Sequence, residues 1–565
     1  MIRDQIEKDI QKVISKFQNP NSNQEIELRR SENPKFGDFS TNVALRVTNV
    51  TKVSNESKDE KNKAVFKQSP MEIANILADS LKNQPYIEKL QAVNPGFVNF
   101  FIKDSVWQGQ VKEVLELQSR FGSNKTGKAK KARVEFVSAN PTGPLHFGNA
   151  RGGPSGDVLA SVLQFSGYEV LREYYNNDVG GQIAKLGESI LNVAAREPLE
   201  EQEYKGLYIN ELVKKITPRV ILGSETTPES IPSKDSGQAR MTMRAGVEAV
   251  KILSEENIAD CEAMGIRFDK VFSESEFIKS GKTEEAIKFL EEKGVLKKKD
   301  GARWFVPNDE FLKDRETVVV KSDGSFTYFA NDIAYHRLKF DENYDLVVDV
   351  MGANHHGHVP RLNAAISALG FEVSKFKVIL YQWVRFRKHG KPYTMSKRAG
   401  SFITAREVIE EIGKDALRFM LLTYDTNSPI EFDIDLAREQ SAKNPVYYVQ
   451  YAHARISSIL AKSEIRNPKS ETNYELLSTN YELNLIKQIS RFPELVEDIS
   501  NNFEVHHLTK YAIELADCFH KFYENCRVIG EEKELMEART ALVEATRITL
   551  GNTLRLLGVN APEKM

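Results

Sequence analysis

A histidine and a glycine stand where a strand-like segment gives way to a helix-like one. Ala132 to Ser138 is rich in β-branched and aromatic residues, and PTGPLHFGNARGG follows it before a helical run. The turn predicts an anion site, because free helix amides attract phosphate and His146 can donate a hydrogen bond to a phosphoryl oxygen. Gly148 has no side chain to keep a flat base from the backbone, and Asn149 follows directly.

A second group of residues that could take part in a reaction is a run of cations after another strand-like segment. The sequence VRFRKHGKPYTMSKRAG contains Arg385, Arg387, Lys388, Lys391, Lys397 and Arg398. Such a run is usually only a solvated face. Here it forms a glycine-bearing loop at the end of a strand, where a lysine can neutralise charge developing on a triphosphate. The residues alone leave both interpretations open.

Three other patterns do not complete a site. GSNKTGKA resembles a phosphate-binding loop, but Ala129 replaces the hydroxyl that would bind Mg²⁺, and the segment before it is helix-like. GNARGGPSG lacks the Gly-x-Gly spacing of a nicotinamide-dinucleotide fold. His355, His356 and His358 do not have the spacing of a zinc site. We therefore predict a basic linker in the first case and no metal bound by the chain itself in the last.

The elements that must position these residues form a βαβ unit. The helix-like DVLASVLQFSG lies between the first strand and a second one, YEVLREYY, and two further short apolar runs occur in DLVVDVMG and FKVILYQWV. These features predict a Rossmann-like domain with a parallel sheet over residues 121–430. The polar, proline-containing stretch 197–240 predicts an insertion or connection within it.

The flanking regions differ in pattern from this domain. Met1 to Phe17 has helical apolar spacing, AVNPGFVNFFI alternates, and VKEVLELQSRF is helical again, which predicts an α+β domain over residues 1–120. The charged TKVSNESKDEKNK predicts a surface loop there. Strand patterns nearly vanish after Pro429, so residues 431–565 are predicted to form an all-α helical bundle.

Composition restricts the classes of protein to consider. The 565 residues carry 78 Lys and Arg against 80 Asp and Glu, so a polyanion must be held by local patches rather than by a global positive field. Only three cysteines occur, too few for a disulfide framework in a chain of this length. No apolar run approaches the ~18 residues of a membrane span. A cytoplasmic protein without a membrane partner is predicted.

Several of these segments resemble a known family. His146-Phe147-Gly148-Asn149 resembles the HIGH signature of class I aminoacyl-tRNA synthetases, and Met395-Ser396-Lys397 resembles the core of their KMSKS loop. Thr394 and Arg398 replace that loop's first lysine and last serine. The segments that resemble arginyl-tRNA synthetases in particular are VEFVSANPTGPLHFGN, MGIRFDKVFSES, SDGSFTYFANDIAYHRLKF, GANHHGHVPR, NPVYYVQYAHAR, LGVNAPEKM and the N-terminal NPKFGDFSTNVAL.

The resemblance implies a fold and a reaction. It implies a multidomain α/β protein in which an additional N-terminal domain contacts the outer corner of tRNA and a C-terminal bundle contacts the anticodon arm. ATP, accompanied by Mg²⁺, L-arginine and tRNA(Arg) would give arginyl-tRNA, AMP and pyrophosphate through an arginyl-adenylate. Members of the family are typically monomeric and generally need tRNA before they activate the amino acid.

The resemblance also implies roles for individual residues. His146, Asn149 and Lys397 would act in catalysis, and Gly148, Met395 and Ser396 would join them in binding ATP. Lys130, Lys131 or Lys391 would add positive charge in place of the missing lysine.

The amino acid would occupy a second set of residues. A planar guanidinium with five donors requires carboxylates placed for paired hydrogen bonds, which Glu135 and Asp332 would supply. Tyr328 would line this pocket, and Asn140 and His355 would orient the amino-acid end.

Other interpretations remain open at this stage. Glu135 can be an exposed strand residue, and Asp332 an acid near a helix N-terminus. The whole protein can be a class I synthetase for another amino acid, although an uncharged substrate would leave buried carboxylates unpaired. It can also be a tRNA-binding paralogue that has lost catalysis, against which the retained Asn140, His146 and Lys397 argue.

Overall fold

The computed structural model describes residues 1–15, 26–31, 33–47, 68–220, 237–307, 316–393, 402–463 and 472–565. The chain forms two compact units. The first contains Met1–Gly122, Arg455–Glu494 and Glu514–Leu550, and the second contains Ser123–Ala454, Leu495–Ile513 and Gly551–Met565. The domain boundaries near residues 120 and 430 stay a prediction.

The first unit contains the predicted α+β region. Its antiparallel sheet has the order β1-β2-β4-β3 and consists of β1 (Leu28–Arg30), β2 (Phe39–Thr41), β3 (Ile87–Val93) and β4 (Phe97–Ile102). The helices of this region are α1 (Ile2–Ile14), α2 (Pro70–Leu81) and α3 (Asp104–Leu117). The apolar face of α1 is buried through Ile6, Ile10 and Val13, as its spacing predicts. The segment TKVSNESKDEKNK lies outside the described residues.

The described strands of the second unit form three sheets. In chain order they are β5 (Lys131–Phe136), β6 (Glu169–Asn176), β7 (Lys270–Ser273), β8 (Leu296–Lys299), β9 (Ala302–Phe305), β10 (Thr317–Val320), β11 (Leu346–Gly352), β12 (Phe376–Tyr381), β13 (Val384–Lys388), β14 (Lys391–Tyr393) and β15 (Ile430–Asp433). The main sheet has the order β12-β11-β5-β6-β7 and is parallel throughout, which confirms the predicted Rossmann-like class.

The order of this sheet determines where a ligand can bind. The chain moves outward from β5 through β6 to β7 and then returns to place β11 on the other side of β5. At such a reversal the loops after the two neighbouring strands diverge and leave a crevice at their carboxyl ends. The His146 turn follows β5, and the turn that contains His355 follows β11.

The helices around the main sheet complete the Rossmann-like layers. They are α4 (Phe147–Ala150), α5 (Gly152–Phe165), α6 (Gly181–Ala194), α7 (Tyr208–Val220), α8 (Gly237–Ala263), α9 (Glu274–Lys279), α10 (Lys282–Glu292), α11 (Tyr328–Asp341), α12 (Val359–Ala368), α13 (Ala405–Ile412) and α14 (Lys414–Leu422). Helix α5 packs so closely on β5 that a Cβ at Gly156 would lie 2.3 Å from the Cγ of Phe136. The polar stretch 197–240 contains all of α7 and the start of α8.

The region after Pro429 is mainly helical, as predicted. Its helices are α15 (Ile434–Arg438), α16 (Pro445–Lys462), α17 (Asn480–Ser490), α18 (Phe492–Asn502), α19 (His507–Asn525) and α20 (Lys533–Leu557). The sequence pattern missed β15, which pairs in parallel with β13 and is too short for its alternation to stand out. Within the described residues, no helix has both the length and the apolarity needed to cross a membrane.

Candidate active site

His146 caps the short helix α4. Its Nδ1 accepts a hydrogen bond from the backbone N–H of Gly148 at 2.7 Å, and its ring packs on Phe402 with centroids 4.8 Å apart. The backbone on either side pairs with the segment 403–405, because Phe147 donates to the carbonyl of Ile403 and Ala405 donates to that of Leu145. The turn is therefore anchored to the chain that follows the cationic loop.

These contacts determine which nitrogen of His146 carries the proton. A nitrogen that accepts a hydrogen bond carries no proton, so the neutral ring is protonated at Nε2. Burial lowers the pKa of His146, which favours the same neutral form. Near neutral pH the side chain can thus donate a hydrogen bond from Nε2 without adding a full positive charge to the turn.

A cavity of about 730 Å³ opens beside this histidine. Its lining residues are His146, Phe147, Gly148, Val384, Arg385, Phe386, Arg387, Pro392, Tyr393, Phe402, Ile403 and Glu431. Aromatic rings can stack on a base and the two arginines can contact phosphates, so the lining suits a nucleotide. The hairpin formed by β13 and β14 contributes both arginines.

The residues that resemble the KMSKS core lie outside the described residues. Thr394, Met395, Ser396, Lys397 and Arg398 belong to the interval between Tyr393 and Phe402. The two described residues that border this interval both line the cavity with His146. The histidine turn and both ends of the cationic loop therefore meet at one cavity.

Gly148 is packed against the histidine that it orients. A Cβ at this position would lie 2.8 Å from the Nδ1 of His146. We expect Gly148→Ala to lower kcat by roughly 10- to 100-fold, because the ring must turn away from its productive position. Steady-state kinetics of the reaction that the resemblance implies would measure the effect. Gly109→Ala is the matched control, since a Cβ there meets nothing within 4 Å; equal kcat values in the two variants would contradict this prediction.

Glu135 lies in the middle of a row of three acids. The registers of β5 with β6 and of β5 with β11 set Glu135 beside Glu173 and Asp349. The carboxylate of Glu135 accepts from the hydroxyl of Ser138 at 2.9 Å, the hydroxyl of Tyr335 at 2.9 Å and the ammonium of Lys339 at 2.6 Å. Burial, opposed by Lys339, raises the pKa of Glu135. Glu135 is therefore not the exposed strand residue of the alternative interpretation.

Asp332 lies in the second turn of α11 and contacts a histidine. Its Oδ2 is 2.9 Å from the Nε2 of His358, and 32% of its side chain is exposed. Burial and the carboxylates of Glu274, Asp332 and Glu135 together raise the pKa of Tyr175. The two acids assigned to the guanidinium thus both lie within electrostatic range of one tyrosine hydroxyl.

The three remaining sequence-assigned residues lie at the ends of the same elements. Tyr328 is the first residue of α11 and is 60% exposed; its hydroxyl oxygen would be 2.6 Å from a Cβ at Gly180. Asn140 is exposed just after β5, and His355 is exposed in the turn after β11. Partial burial and the neighbouring His358 lower the pKa of His355, and the carboxylate of Asp332 offsets only part of this shift. These side chains follow strands or begin a helix at the crevice side of the sheet.

Two of the three lysines that were expected to add charge at the phosphates lie away from the cavity. Lys131 is the first residue of β5 and is 4.0 Å from Glu169. Lys130 precedes it, so both are separated from the carboxyl end of β5 by the length of the strand, ~17 Å. The suggestion that either lysine adds charge at the nucleotide cavity is therefore wrong. Lys391 begins β14, in the hairpin that lines the cavity.

Further side chains contact Glu135 and Asp332 and were not predicted from the sequence. Tyr335, His336 and Lys339 follow Asp332 on α11 at intervals of three, four and seven, which is the spacing of one helix face. That spacing is visible in the sequence. In contrast, no pattern in the sequence linked Glu173 or Asp349 to Glu135, because only the strand registers bring these acids together.

Comparisons with known proteins agree with this architecture along the whole chain. Residues 4–102 match the model of the arginyl tRNA synthetase N terminal domain, residues 110–428 that of the class I tRNA synthetase (R) catalytic domain, and residues 449–565 that of the DALR anticodon binding domain.

Individual proteins extend these matches. The chain is 41% identical to an arginine–tRNA ligase of Geobacter sp. (strain M21), over 96% of this chain and 95% of the relative. It is 38% identical to that of Carboxydothermus hydrogenoformans, over 96% and 94%. The solved arginyl-tRNA synthetase of Thermus thermophilus shares the fold at a TM-score of 0.79, with 22% identity and all of both chains covered.

Proposed function

Because this chain belongs to the arginyl-tRNA synthetase family, we propose that the cavity beside His146 holds ATP and that Glu135 and Asp332 hold the guanidinium of arginine. The protein attaches arginine to tRNA with the consumption of ATP. The observation that carries the assignment of the arginine pocket is that helix α11 bears Asp332 and also supplies Tyr335 and Lys339, which contact Glu135. The following roles rest on that geometry.

The nucleotide is held by the turn and by the cationic hairpin. The α-phosphate lies against the Nε2–H of His146, with Gly148 and Asn149 at the start of α4 beside it. Met395, Ser396 and Lys397 bind the phosphates, a role that rests on the resemblance of this segment to the signature loop; the described residues on either side, Tyr393 and Phe402, line the cavity. Arginine carboxylate attacks the α-phosphorus, and the bond to pyrophosphate breaks. Donors placed where charge develops stabilise the transition state more than the bound substrates.

The amino acid lies with its side chain toward α11. A guanidinium has five N–H donors, and Asp332 and Glu135 offer acceptors from two directions. Tyr328 covers the pocket, and Asn140 and His355 orient the α-amino and carboxylate groups. In the second step a ribose hydroxyl at the 3′ end of tRNA attacks the adenylate carbonyl and releases AMP. Positioning and electrostatics suffice for both steps, with no covalent enzyme intermediate.

The pocket also explains how other amino acids are rejected. Lysine has a single ammonium, which leaves part of a carboxylate pair unsatisfied, and an uncharged side chain leaves both carboxylates unpaired in a partly buried site. Leaving buried polar groups without partners discriminates strongly between substrates. A separate site for hydrolysing wrong products is therefore unnecessary.

Four further properties are part of this proposal. Mg²⁺ enters with ATP, since this ion binds readily to phosphate oxygens. The protein acts as a cytoplasmic monomer. Its three domains have boundaries near residues 120 and 430. The N-terminal domain contacts the outer corner of tRNA and the helical C-terminal domain the anticodon arm.

A charging assay tests the reaction and its specificity together. The purified protein is incubated with ATP, Mg²⁺, tRNA(Arg) and each of the twenty amino acids in turn. We expect only arginine to be esterified. Esterification of another amino acid would indicate a class I synthetase of different specificity, and binding of tRNA without any product would indicate a paralogue that has lost catalysis.

Lys397→Ala tests the role of the cationic loop. We expect kcat for charging to fall by about 10- to 100-fold, because a lysine that neutralises the departing pyrophosphate is lost while the hairpin arginines remain. Lys391→Ala, in the same hairpin but outside the signature, is the comparison variant and should lose less activity. A Lys397→Ala protein with the kcat of the unaltered enzyme would remove this lysine from the mechanism.

A further inference from the structure

The three acids in the middle of the main sheet create an electrostatic problem. Glu135, Glu173 and Asp349 lie side by side on β5, β6 and β11, and neighbouring parallel strands are only ~4.8 Å apart. The three residues are 8%, 0% and 1% exposed, respectively. Buried carboxylates at this separation take up protons unless cations and donors keep them ionised.

Arg133 compensates one end of the row. Its guanidinium binds both oxygens of Glu173 at 2.6 and 2.5 Å and reaches Glu342 at 2.8 Å. Its donors are thereby directed to Glu173 and Glu342, away from Glu135. Compensation of the charge on Glu135 must come from the helix packed over this face of the sheet.

Lys339 on α11 supplies that compensation. Its Nζ lies 2.6 Å from Oε2 of Glu135 and 2.6 Å from Oδ1 of Asp349, and the residue is fully buried. The hydroxyl of Tyr335 lies 2.9 Å from the same oxygen of Glu135 and 2.7 Å from Oε2 of Glu173, so its single proton is shared between the two acids. Lys339 is therefore the charged donor to Oε2 of Glu135, and Tyr335 assists it.

The other oxygen of Glu135 keeps capacity for a ligand. Oε1 accepts from the hydroxyl of Ser138, and a carboxylate oxygen has two lone pairs. The side chain of Glu135 is 11% exposed, whereas that of Lys339 is 0% exposed. A bound arginine can consequently reach Glu135 and cannot reach Lys339.

The same helix face extends to the second acid of the pocket. The Nε2 of His336 is 2.9 Å from Asp349, and its Nδ1 is 2.7 Å from the backbone carbonyl of Asp332. The ring therefore lies between the carboxylate of Asp349 and the backbone carbonyl of Asp332 and can donate to either of them. The chain of contacts from Glu135 through Lys339, Asp349 and His336 thus ends at Asp332.

We propose that Lys339 is a positioning residue for arginine recognition, which keeps Glu135 ionised and oriented so that its Oε1, which retains a lone pair beside the bond from Ser138, binds the guanidinium. The inference rests on the proposed role of Glu135. A neutral carboxyl group attracts a guanidinium far less than a carboxylate does. Without Lys339, burial and the nearby carboxylates would favour protonation of Glu135, and arginine binding would weaken while ATP binding would not change.

The pH dependence follows from the groups that face Glu135. They come from the loop after its own strand, from β6, from β11 and from α11, and they are Ser138, Glu173, Tyr175, Asp349, Tyr335 and Lys339. Loss of the ammonium leaves mainly acids and hydroxyls, so the pKa of Glu135 rises further. Arginine affinity in the variant should then improve as pH rises through this raised pKa, and by more than in the unaltered enzyme, where Lys339 opposes the rise.

Lys339→Met is the direct test, because methionine has similar length and no charge. We expect the KM for arginine at pH 7 to rise by about tenfold or more, the KM for ATP to stay within about twofold, and the KM for arginine to fall again toward pH 8.5. Lys270→Met is the matched control. It removes a cation 3.9 Å from Glu173 that does not contact Glu135, so it should leave the KM for arginine unchanged.

Several outcomes would overturn the inference. A folded Lys339→Met protein with an unchanged KM for arginine would do so, as would equal changes for arginine and ATP or an effect independent of pH. If that variant does not fold, Tyr335→Phe decides, since it keeps the ring and the ion pairs but removes a donor to Oε2. A severalfold rise in its KM for arginine alone would support the inference, and an unchanged value would overturn it.

Glu135→Gln distinguishes the proposed role of Lys339 from the proposed binding of the guanidinium by Glu135. If Glu135→Gln leaves the KM for arginine unchanged, Glu135 does not bind the guanidinium, and both the assignment and the inference fail. If Glu135→Gln raises that KM while Lys339→Met and Tyr335→Phe do not, the assignment stands and the inference alone is wrong.

Discussion

Replacement of His146 by alanine is expected to lower kcat for arginyl-tRNA formation by about 10²- to 10³-fold, the usual loss when one donor to a developing charge is removed. The Nδ1 of this histidine is occupied by the N–H of Gly148, which leaves Nε2 as the donor toward the nucleotide. Because the donor acts on the phosphoryl group rather than on the amino acid, the KM for arginine should change little. Steady-state charging and pyrophosphate exchange in the presence of tRNA would both report the loss.

Two variants separate this role from the capping role of the same residue. Asparagine is a good N-cap, so His146→Asn should preserve the start of α4 and the melting temperature, yet its shorter amide should not restore kcat. His507→Ala removes a half-buried histidine that pairs with Glu504 and should be neutral for charging. Recovery of full kcat in His146→Asn would show that the histidine only caps the helix.

Asp332→Asn is expected to raise the KM for arginine by about 10²- to 10³-fold, in line with loss of one partner of a desolvated charge pair. The substitution keeps the size of the side chain and can still contact His358, whose Nε2 is 2.9 Å from Asp332. The KM for ATP should change by no more than about twofold. Charging kinetics with arginine and ATP varied separately would measure both values.

The same helix offers a matched control for this substitution. Asp341 lies at the other end of α11, is 54% exposed and pairs with Arg337 at 3.6 Å. Asp341→Asn also removes one negative charge from α11, but on its solvent side, so the KM for arginine should not change. Equal increases in the KM values for arginine and ATP in Asp332→Asn would argue against a guanidinium contact.

Together the variants would assign the two halves of the crevice to different parts of the reaction. Changes at His146, Gly148 and Lys397 should appear in kcat, because those groups act on the phosphates. Changes at Asp332 and Lys339 should appear in the KM for arginine, because those residues act on the guanidinium. A residue that affected both values equally would instead report a general disturbance of the fold.

The sequence was sufficient for the parts of the protein that depend on neighbours along the chain. Four of the five parallel strands were evident from their composition and the turn residues around them, whereas β7 was not predicted, and the His146 turn was evident as a glycine-bearing junction of strand and helix. The cap of helix α4 is such a local feature, because His146 contacts Gly148, two residues away. The resemblance of long segments to one family then extended the prediction to the fold and the reaction. Such a resemblance shows no contact between residues.

Only the tertiary structure revealed how Glu135 is held. Its partners Tyr335 and Lys339 are 200 and 204 residues away, and Glu173 and Asp349 become its neighbours through strand register. The sequence likewise offered Lys130 and Lys131 as added charge, and the direction of β5 places them at the opposite end of the sheet. Ionisation of a buried acid depends on solvent exclusion and on charges a few ångströms away. Both are set by packing between distant segments, which no local pattern of residues records.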